Sequence, residues 1–481
     1  MQASKFALAL ACTAMLISCG GGGTPTPSAV SPTPTPSPTP SVAANPCSYT
    51  ARAAFVRDTL NEWYLFPELF NAAAPPASYA NIDQYIDALV APARAQNRDR
   101  YFTYITSIAE ENAFFGSGSS AGYGFRLGYD SGARRVFVIE TFEGTPALGV
   151  NMDRGTELLG IGTTSTNIQS VASMIASGGP QAVDNALGPL DPGVTRVFNI
   201  RDQGGVVREV RLTRADFALD PVSDRYGAKI IDDGGKQVGY INLRTFIGPA
   251  NDDLRAAFAN FRTAGVTELV IDLRYNGGGA LSVSDVFGNL MARDLDGKLF
   301  YELALRPSKA AQNERYFFDS LPQSIAPTRI AFIGSGSTAS ASELLINGMQ
   351  PYLGNNMALI GEDTYGKPVG QFAFDRAECD DRLRAVTFKL ANADGNGEYF
   401  SGLAATVPNT CRAFDDISYP LGDPRENMLK VALDFLAGRS CNSIPNASAS
   451  ASADRTALSR RGMVMPERPG SVAQREVPGL N

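Results

Sequence analysis

The chain has 481 residues, too many for one ordinary core at roughly 100 to 200 residues per domain, and hydrophobic residues at 44% can fill two or three. A net charge of -7 leaves no basic footprint for nucleic acid or for an acidic membrane surface. The sequence contains no histidine, which excludes a Ser-His-Asp triad, a Cys-His dyad and a histidine-ligated metal site, so any hydrolase built on it needs another base.

In chain order, the first feature is an export signal. Lys5 supplies a positive start, and Phe6 to Ile17 is apolar but too short to span a membrane as a mature helix. Leu16-Ile17-Ser18-Cys19 follows, and this tetrapeptide resembles the bacterial lipobox. The resemblance implies that residues 1–19 are a lipoprotein signal peptide, that Cys19 is lipidated as the first mature residue, and that acyl chains hold the protein on a membrane. Gly20 rather than aspartate follows Cys19, a pattern similar to that sorted to the periplasmic face of the outer membrane. The plainer alternative is a secretory signal with an incidental cysteine. Residues 20–46 are Gly, then Thr, Pro and Ser repeated, which cannot bury a core and reads as an extended linker.

Across 47–115 the apolar spacing is helical, with Ala54, Phe55, Leu60, Trp63 and Tyr64 and again Ile82, Tyr85, Ile86 and Leu89, predicting a small helical domain. After a Gly/Ser linker at 116–122 the period becomes two, with strands predicted at Tyr123 to Tyr129, Arg135 to Thr141 and Val206 to Thr213, a compact β module over 118–222. From Gln237 strands and helices alternate: Val238 to Arg244, a helix at Asp252 to Ala264, Leu269 to Leu273, a helix after Gly279, Arg329 to Ser335, a helix from Ser340, and Met357 to Gly361. That alternation predicts an α/β core with a largely parallel sheet over 223–441. The remainder, 442–481, is Ala/Ser-rich from Asn446, then charged and proline-broken, and reads as a disordered tail.

Removing the signal leaves Cys47, Cys379, Cys411 and Cys441, an even number that predicts two disulfides in an oxidising compartment. Three pairings are possible. Cys47 and Cys441 bracket the folded region while Cys379 and Cys411 bracket one hairpin-like stretch, which favours those two pairs.

Three segments carry chemistry. Ile271-Asp272-Leu273-Arg274-Tyr275-Asn276-Gly277-Gly278-Gly279 is a strand running into three glycines and then a helix, where backbone N–H groups can approach a substrate closely. Neither G-x-x-x-x-G-K-[ST] nor G-x-G-x-x-G is present in this loop, which weakens a phosphate-binding reading. Ser337-Thr338-Ala339-Ser340-Ala341-Ser342-Glu343 joins a strand to an apolar helix and places Ser340 at a helix N-terminus, where Ser340 and Glu343 also satisfy a plain capping box. Gly366-Lys367-Pro368-Val369-Gly370-Gln371 follows the next strand. In a parallel sheet that loop emerges beside the preceding helix start, so Lys367 can reach Ser340. A neutral Lys367 needs apolar burial and the positive helix end to lower its pKa from ~10.4, and Gln371 can accept a hydrogen bond from its amine. The N–H of Ala341 and one from the glycine turn could form an oxyanion hole.

Together these residues resemble the C-terminal processing, or tail-specific, serine peptidases, whose signature is S-A-S-A-S-E, then G-K-x-x-x-Q, preceded by D-L-R-x-N-x-G-G, with a match over roughly Gly122 to Gly438. The resemblance implies Ser340 as nucleophile, Lys367 as general base, Gln371 as its orienting partner, and Ala341 with Gly278, or else Gly277, as oxyanion donors. Thr338 replaces the run's first small residue, and Gly277 stands where many relatives have proline. It also implies a crotonase-like (ClpP/crotonase) core and a PDZ domain, in which Gly122-Tyr123-Gly124-Phe125 looks like the carboxylate-binding loop for a peptide C-terminus. Thr156 sits where the family usually has aspartate.

Three functions compete. The first is a serine endopeptidase cleaving exported proteins or peptides held by their C-terminal ends, with no metal or cofactor in its chemistry. The second is a non-catalytic PDZ lipoprotein that tethers chain ends, favoured only if Ser340, Lys367 or Gln371 were missing, and all three are present. The third is an acyl-CoA enzyme, suggested by the crotonase likeness and opposed by export, since coenzyme A is cytosolic.

Overall fold

The computed structural model describes residues 45–445, 461–466 and 468–481. Its centre is a six-stranded sheet in the order Ala228–Asp233, Lys236–Asn242, Glu268–Asp272, Arg329–Gly334, Met357–Gly361, Thr410–Arg412. The first pair is antiparallel and every later pair parallel. Helices Ala250–Thr263, Leu281–Leu290 and Ala341–Leu353 lie in the crossovers and cover one face, on which Leu269, Ile271, Phe332 and Leu359 pack. The alternate residues Val270, Ile333 and Ile360 face helix Asn427–Leu436. Both faces are thus covered, which is why these strands read as unbroken apolar runs.

The β unit contains Phe125–Asp130, Arg135–Thr141, Glu157–Gly162, Thr195–Arg201 and Val207–Thr213, paired antiparallel around helix Val171–Leu187. Buried ion pairs tie it to the core. Arg244 meets Glu140 at 2.7 Å, and Asp415 joins Arg154 at 2.5 Å to Arg274 at 3.0 Å. Losing one partner of such a pair strands a buried charge.

Residues 47–115 do form helices, at Tyr49–Trp63, Ile82–Ala95 and, running two residues past the boundary, Ile108–Ser117, but they do not close a core of their own. Val56, Leu60, Ile86 and Leu89 pack on Val369, Leu383, Ala385 and Val386 of the hairpin formed by Val369–Arg376 and Asp381–Ala391. Strand Tyr104–Ser107 pairs with that same hairpin.

Two expectations are corrected. The disulfides are Cys47–Cys379 and Cys411–Cys441, not Cys47–Cys441 and Cys379–Cys411. Cys379 lies at the turn of the hairpin under the first helix, whereas Cys411 is on the edge strand of the parallel sheet, so the bracketing argument misled: the two cysteines do not belong to one hairpin. The tail is also not free of structure where it is described. Arg461–Met463 adds a strand beside Phe125–Asp130, and Val472–Glu476 is a short helix with Val472, Val477 and Leu480 buried against Phe114, Phe142 and Ile247.

Candidate active site

Strands Glu268–Asp272, Arg329–Gly334 and Met357–Gly361 are consecutive neighbours in the sheet, and each delivers one of the three chemical segments at its carboxyl end. Parallel pairing with register Asp272 to Ile333 and Gly334 to Gly361 therefore brings the glycine turn, the serine loop and the lysine loop to one edge.

Asn276 stitches the first two together. Its side-chain amide donates to Leu243 O at 2.9 Å, its Oδ1 accepts from Gly278 N at 2.9 Å, and its backbone oxygen accepts from Ala339 N at 3.0 Å and Ser342 Oγ at 3.2 Å. Thr338 Oγ1 adds a bond to Leu273 O at 2.7 Å. The approach is so close that a Cβ on Gly278 would lie 2.8 Å from Ser340 Cβ and 3.2 Å from Ala341 N, and Gly278 has φ 117°. Ser340 itself has φ 55° and ψ -115° at the N-cap of helix Ala341–Leu353. A non-glycine residue there stores about 1–3 kcal/mol of strain, held in place by the surrounding bonds.

Glu343 is the residue whose wider role sequence reasoning missed. It was legible as a capping partner, and its Oε2 does accept Ser340 N at 3.0 Å. The same oxygen accepts Lys367 N at 2.7 Å, while Oε1 accepts Gly366 N at 2.7 Å and Thr364 Oγ1 at 2.6 Å. One buried carboxylate thus fixes both the serine and the lysine backbones. Burial pushes its pKa up to about 6 against these four hydrogen bonds, which favour the charged form.

Lys367 is partly buried, with its ammonium 4.8 Å from the centre of the Phe102 ring. Loss of hydration lowers its pKa below the usual lysine range, with the carboxylates of Glu476, Asp99 and Glu343 opposing that shift and Arg475 reinforcing it. Gln371 donates its amide to Phe102 O at 3.0 Å and lines the same cavity as Lys367, Gly277 and Ala339. Arg100 steadies the loop from outside, donating to Tyr365 O at 2.9 Å and Gly366 O at 2.5 Å.

The structure therefore brings Ser340, Ala341, Gly277, Gly278, Lys367 and Gln371 to one edge of the sheet. The Gly122-Tyr123-Gly124-Phe125 segment lies in the β unit instead, where the Gly124 and Phe125 N–H groups donate to Asn481 O at 2.8 and 3.1 Å. Cys19 lies outside the described residues. Among the described residues there is no group of three or more His, Cys, Asp or Glu placed to hold a metal, and no helix is long and apolar enough to cross a membrane.

Residues 237–407 match the model of peptidase family S41. The chain is 26% identical over 263 residues to the carboxyl-terminal-processing protease of Picosynechococcus sp., covering 54% of this chain and 57% of that protein. It is 30% identical over 171 residues to carboxyl-terminal-processing peptidase 1, chloroplastic, of Arabidopsis thaliana, covering 36% of this chain and 33% of that one. The chain spans about half the length or less of these curated relatives. Among solved structures, an S41 protein from Bacteroides fragilis shares the fold, with a TM-score of 0.61 at 23% identity over 80% of this chain and 97% of that one. The three chemical segments all lie inside the stretch that matches the S41 model.

Proposed function

We propose that the protein is a serine endopeptidase acting on exported proteins or peptides recognised through their C-termini. The observation that carries this reading is the Glu343 carboxylate, whose single Oε2 holds the backbones of Ser340 and Lys367 beside each other. Ser340 Oγ attacks the scissile carbonyl and gives its proton to Lys367 Nζ. The lysine returns that proton to the leaving amine, and water then hydrolyses the ester left on Ser340. Burial lowers the pKa of the amine, which favours the neutral form a base requires. With its amide nitrogen committed to Phe102, Gln371 has its Oε1 available to accept from the lysine.

The oxyanion is stabilised by Ala341 N–H and a glycine-turn N–H. Gly278 N–H is already donated to Asn276 Oδ1, which favours Gly277 as the second donor. The β unit acts as a PDZ-like module on a crotonase-like core, its Gly124 and Phe125 amides holding a peptide end as they hold Asn481. The lipobox-like Cys19 supports a lipid anchor at the outer membrane, and the two disulfides support an oxidising compartment.

The test is digestion of a disordered protein by purified wild type, Ser340→Ala and Lys367→Ala. Both variants are expected to lose cleavage by about 10³-fold or more, with melting unchanged. Near wild-type turnover in Ser340→Ala would overturn the assignment.

A further inference from the structure

The free edge of strand Phe125–Asp130 is where a peptide would add to the β unit, and this chain's own C-terminal segment fills it from end to end. Asn481 N donates to Phe125 O at 3.0 Å and its backbone oxygen takes the Gly124 and Phe125 N–H groups. Leu480 bridges antiparallel to Arg126. Val464 N donates to Leu127 O at 2.8 Å, and Met463, Gly462 and Arg461 pair with Gly128, Tyr129 and Asp130. Every position of the strand from 125 to 130 therefore has a partner in 461–481.

The stretch between these two ends crosses the candidate active site. A Cβ on Gly277 would lie 3.0 Å from Glu476 O, 3.1 Å from Arg475 O and 3.0 Å from Pro478 Cδ, so the segment's backbone rests directly on the glycine turn. Gln474, Arg475, Glu476 and Pro478 line the cavity that holds Lys367 and Gln371. The segment is anchored rather than draped. Val472, Val477 and Leu480 are buried with Phe114, Phe142 and Ile247, Val472 N donates to Glu110 Oε1 at 3.3 Å, and Arg475 lies 3.8 Å from the Tyr104 ring centre.

We propose that residues 461–481 are a tethered competitor that occupies the peptide-end groove and covers the serine–lysine site, so that a substrate C-terminus must displace it before cleavage. The proposal rests on the peptidase reading for its effect on turnover, but not for its effect on binding. The occupant is named by chemistry as well as position: an apolar peptide end, with Val477 and Leu480 buried in one cluster and Asn481 N–H and O spent on the loop. A substrate that competes for the same groove has to offer a comparable extended end. A ligand joined to its own site acts at a millimolar-order effective concentration, so a free peptide with an intrinsic affinity of about 10 μM binds the intact chain roughly 100-fold more weakly.

The test uses a labelled peptide of residues 471–481 and full-length protein in the Ser340→Ala background, which prevents cleavage from confusing the binding signal. Leu480→Asp, which places a charge in the apolar cluster, is compared with a chain ending before Arg461. Both are expected to bind the peptide about 100-fold more tightly than the parent, and in the active background to cleave a short generic peptide at least about tenfold faster. Hydrogen exchange on the unaltered protein covers the case in which either variant fails to fold: the amides of residues 124–128 should be protected. Folded variants that bind the peptide no better than the parent, or fast exchange at 124–128 in the unaltered chain, would overturn the proposal. Tighter binding without any peptidase activity would instead retain the tethered competitor and reject the peptidase reading.

Discussion

The candidate active site and the terminal segment that lies on its glycine turn were built from different kinds of information. Each part of the site is a short contiguous run at the end of a strand: Asn276 to Gly279, Thr338 to Glu343, Thr364 to Gln371. Its residues are specified by local needs, namely a glycine where φ is 117°, a small residue at a helix start and a lysine after a turn. The terminal segment has none of these marks. Val464, Val472, Val477 and Leu480 follow neither helical nor strand spacing, because their partners, Leu127, Phe114, Phe142 and Ile247, lie more than 200 residues earlier. A segment that completes someone else's core needs no periodicity of its own.

That contrast can be broken or sharpened by substitution. The largest effect is expected at Lys367→Arg, which keeps the positive charge but cannot act as a base at accessible pH, with about 10³-fold or more loss of turnover. In the parent enzyme activity should rise with pH as the amine loses its proton. Because burial lowers the Lys367 pKa, that limb should fall below the range of an ordinary lysine; a rate profile on a non-ionising peptide decides it. An active Lys367→Arg enzyme would remove the lysine from the chemistry.

Gly278→Ala comes next. Its Cβ would press on Ser340 Cβ at 2.8 Å in a backbone conformation that alanine resists, and displacing the serine or the neighbouring donors is expected to cost about 10²-fold in kcat. Single-turnover kinetics beside a melting curve separate a displaced site from a lost fold.

Glu343→Gln probes the joint between the two loops. The parent carboxyl is raised in the native state, so its contribution to stability is present below pH 4.5 and is lost as the pH rises through about 6. Relative to Glu343→Gln, the parent should lose about 2 kcal/mol across that window, read by denaturant unfolding at several pH values. A flat difference would show that Glu343 is not the buried titrating group described.

The smallest effect separates the two regions most directly. If 461–481 were a free tail, Val477→Ala would change nothing. Buried against Phe114 and Phe142, it should instead lower stability by about 1.5 kcal/mol, measured by thermal or chemical unfolding.

Much of the core was legible in advance for a physical reason. The parallel strands near 238–244, 269–273, 329–335 and 357–361 appear within a few residues of expectation, since apolar runs flanked by glycine-broken turns permit little else in a two-faced sheet. The helices after Pro249, Ala280 and Ser340 follow from the same alternation. Glu343 was legible only as a cap, because a cap is a contact three residues long, whereas its bonds to Gly366 and Lys367 span 23 and 24 residues and depend on two strands lying side by side.

The amino-acid sequence by itself determined the absence of any histidine base, the residue types available for acyl transfer and the strand–turn–helix units that present them. Tertiary structure alone decided which cysteines meet, that the N-terminal helices borrow their core from the 369–391 hairpin, that 461–464 and 480–481 pair with the Phe125–Asp130 strand, and that Gln474, Arg475, Glu476 and Pro478 line the cavity that holds Lys367. Local propensity acts over a few residues, and each of those outcomes is a contact between segments separated by 30 to more than 300. Such contacts are selected by the shape and free edges of the assembled sheets, which no single stretch of chain contains.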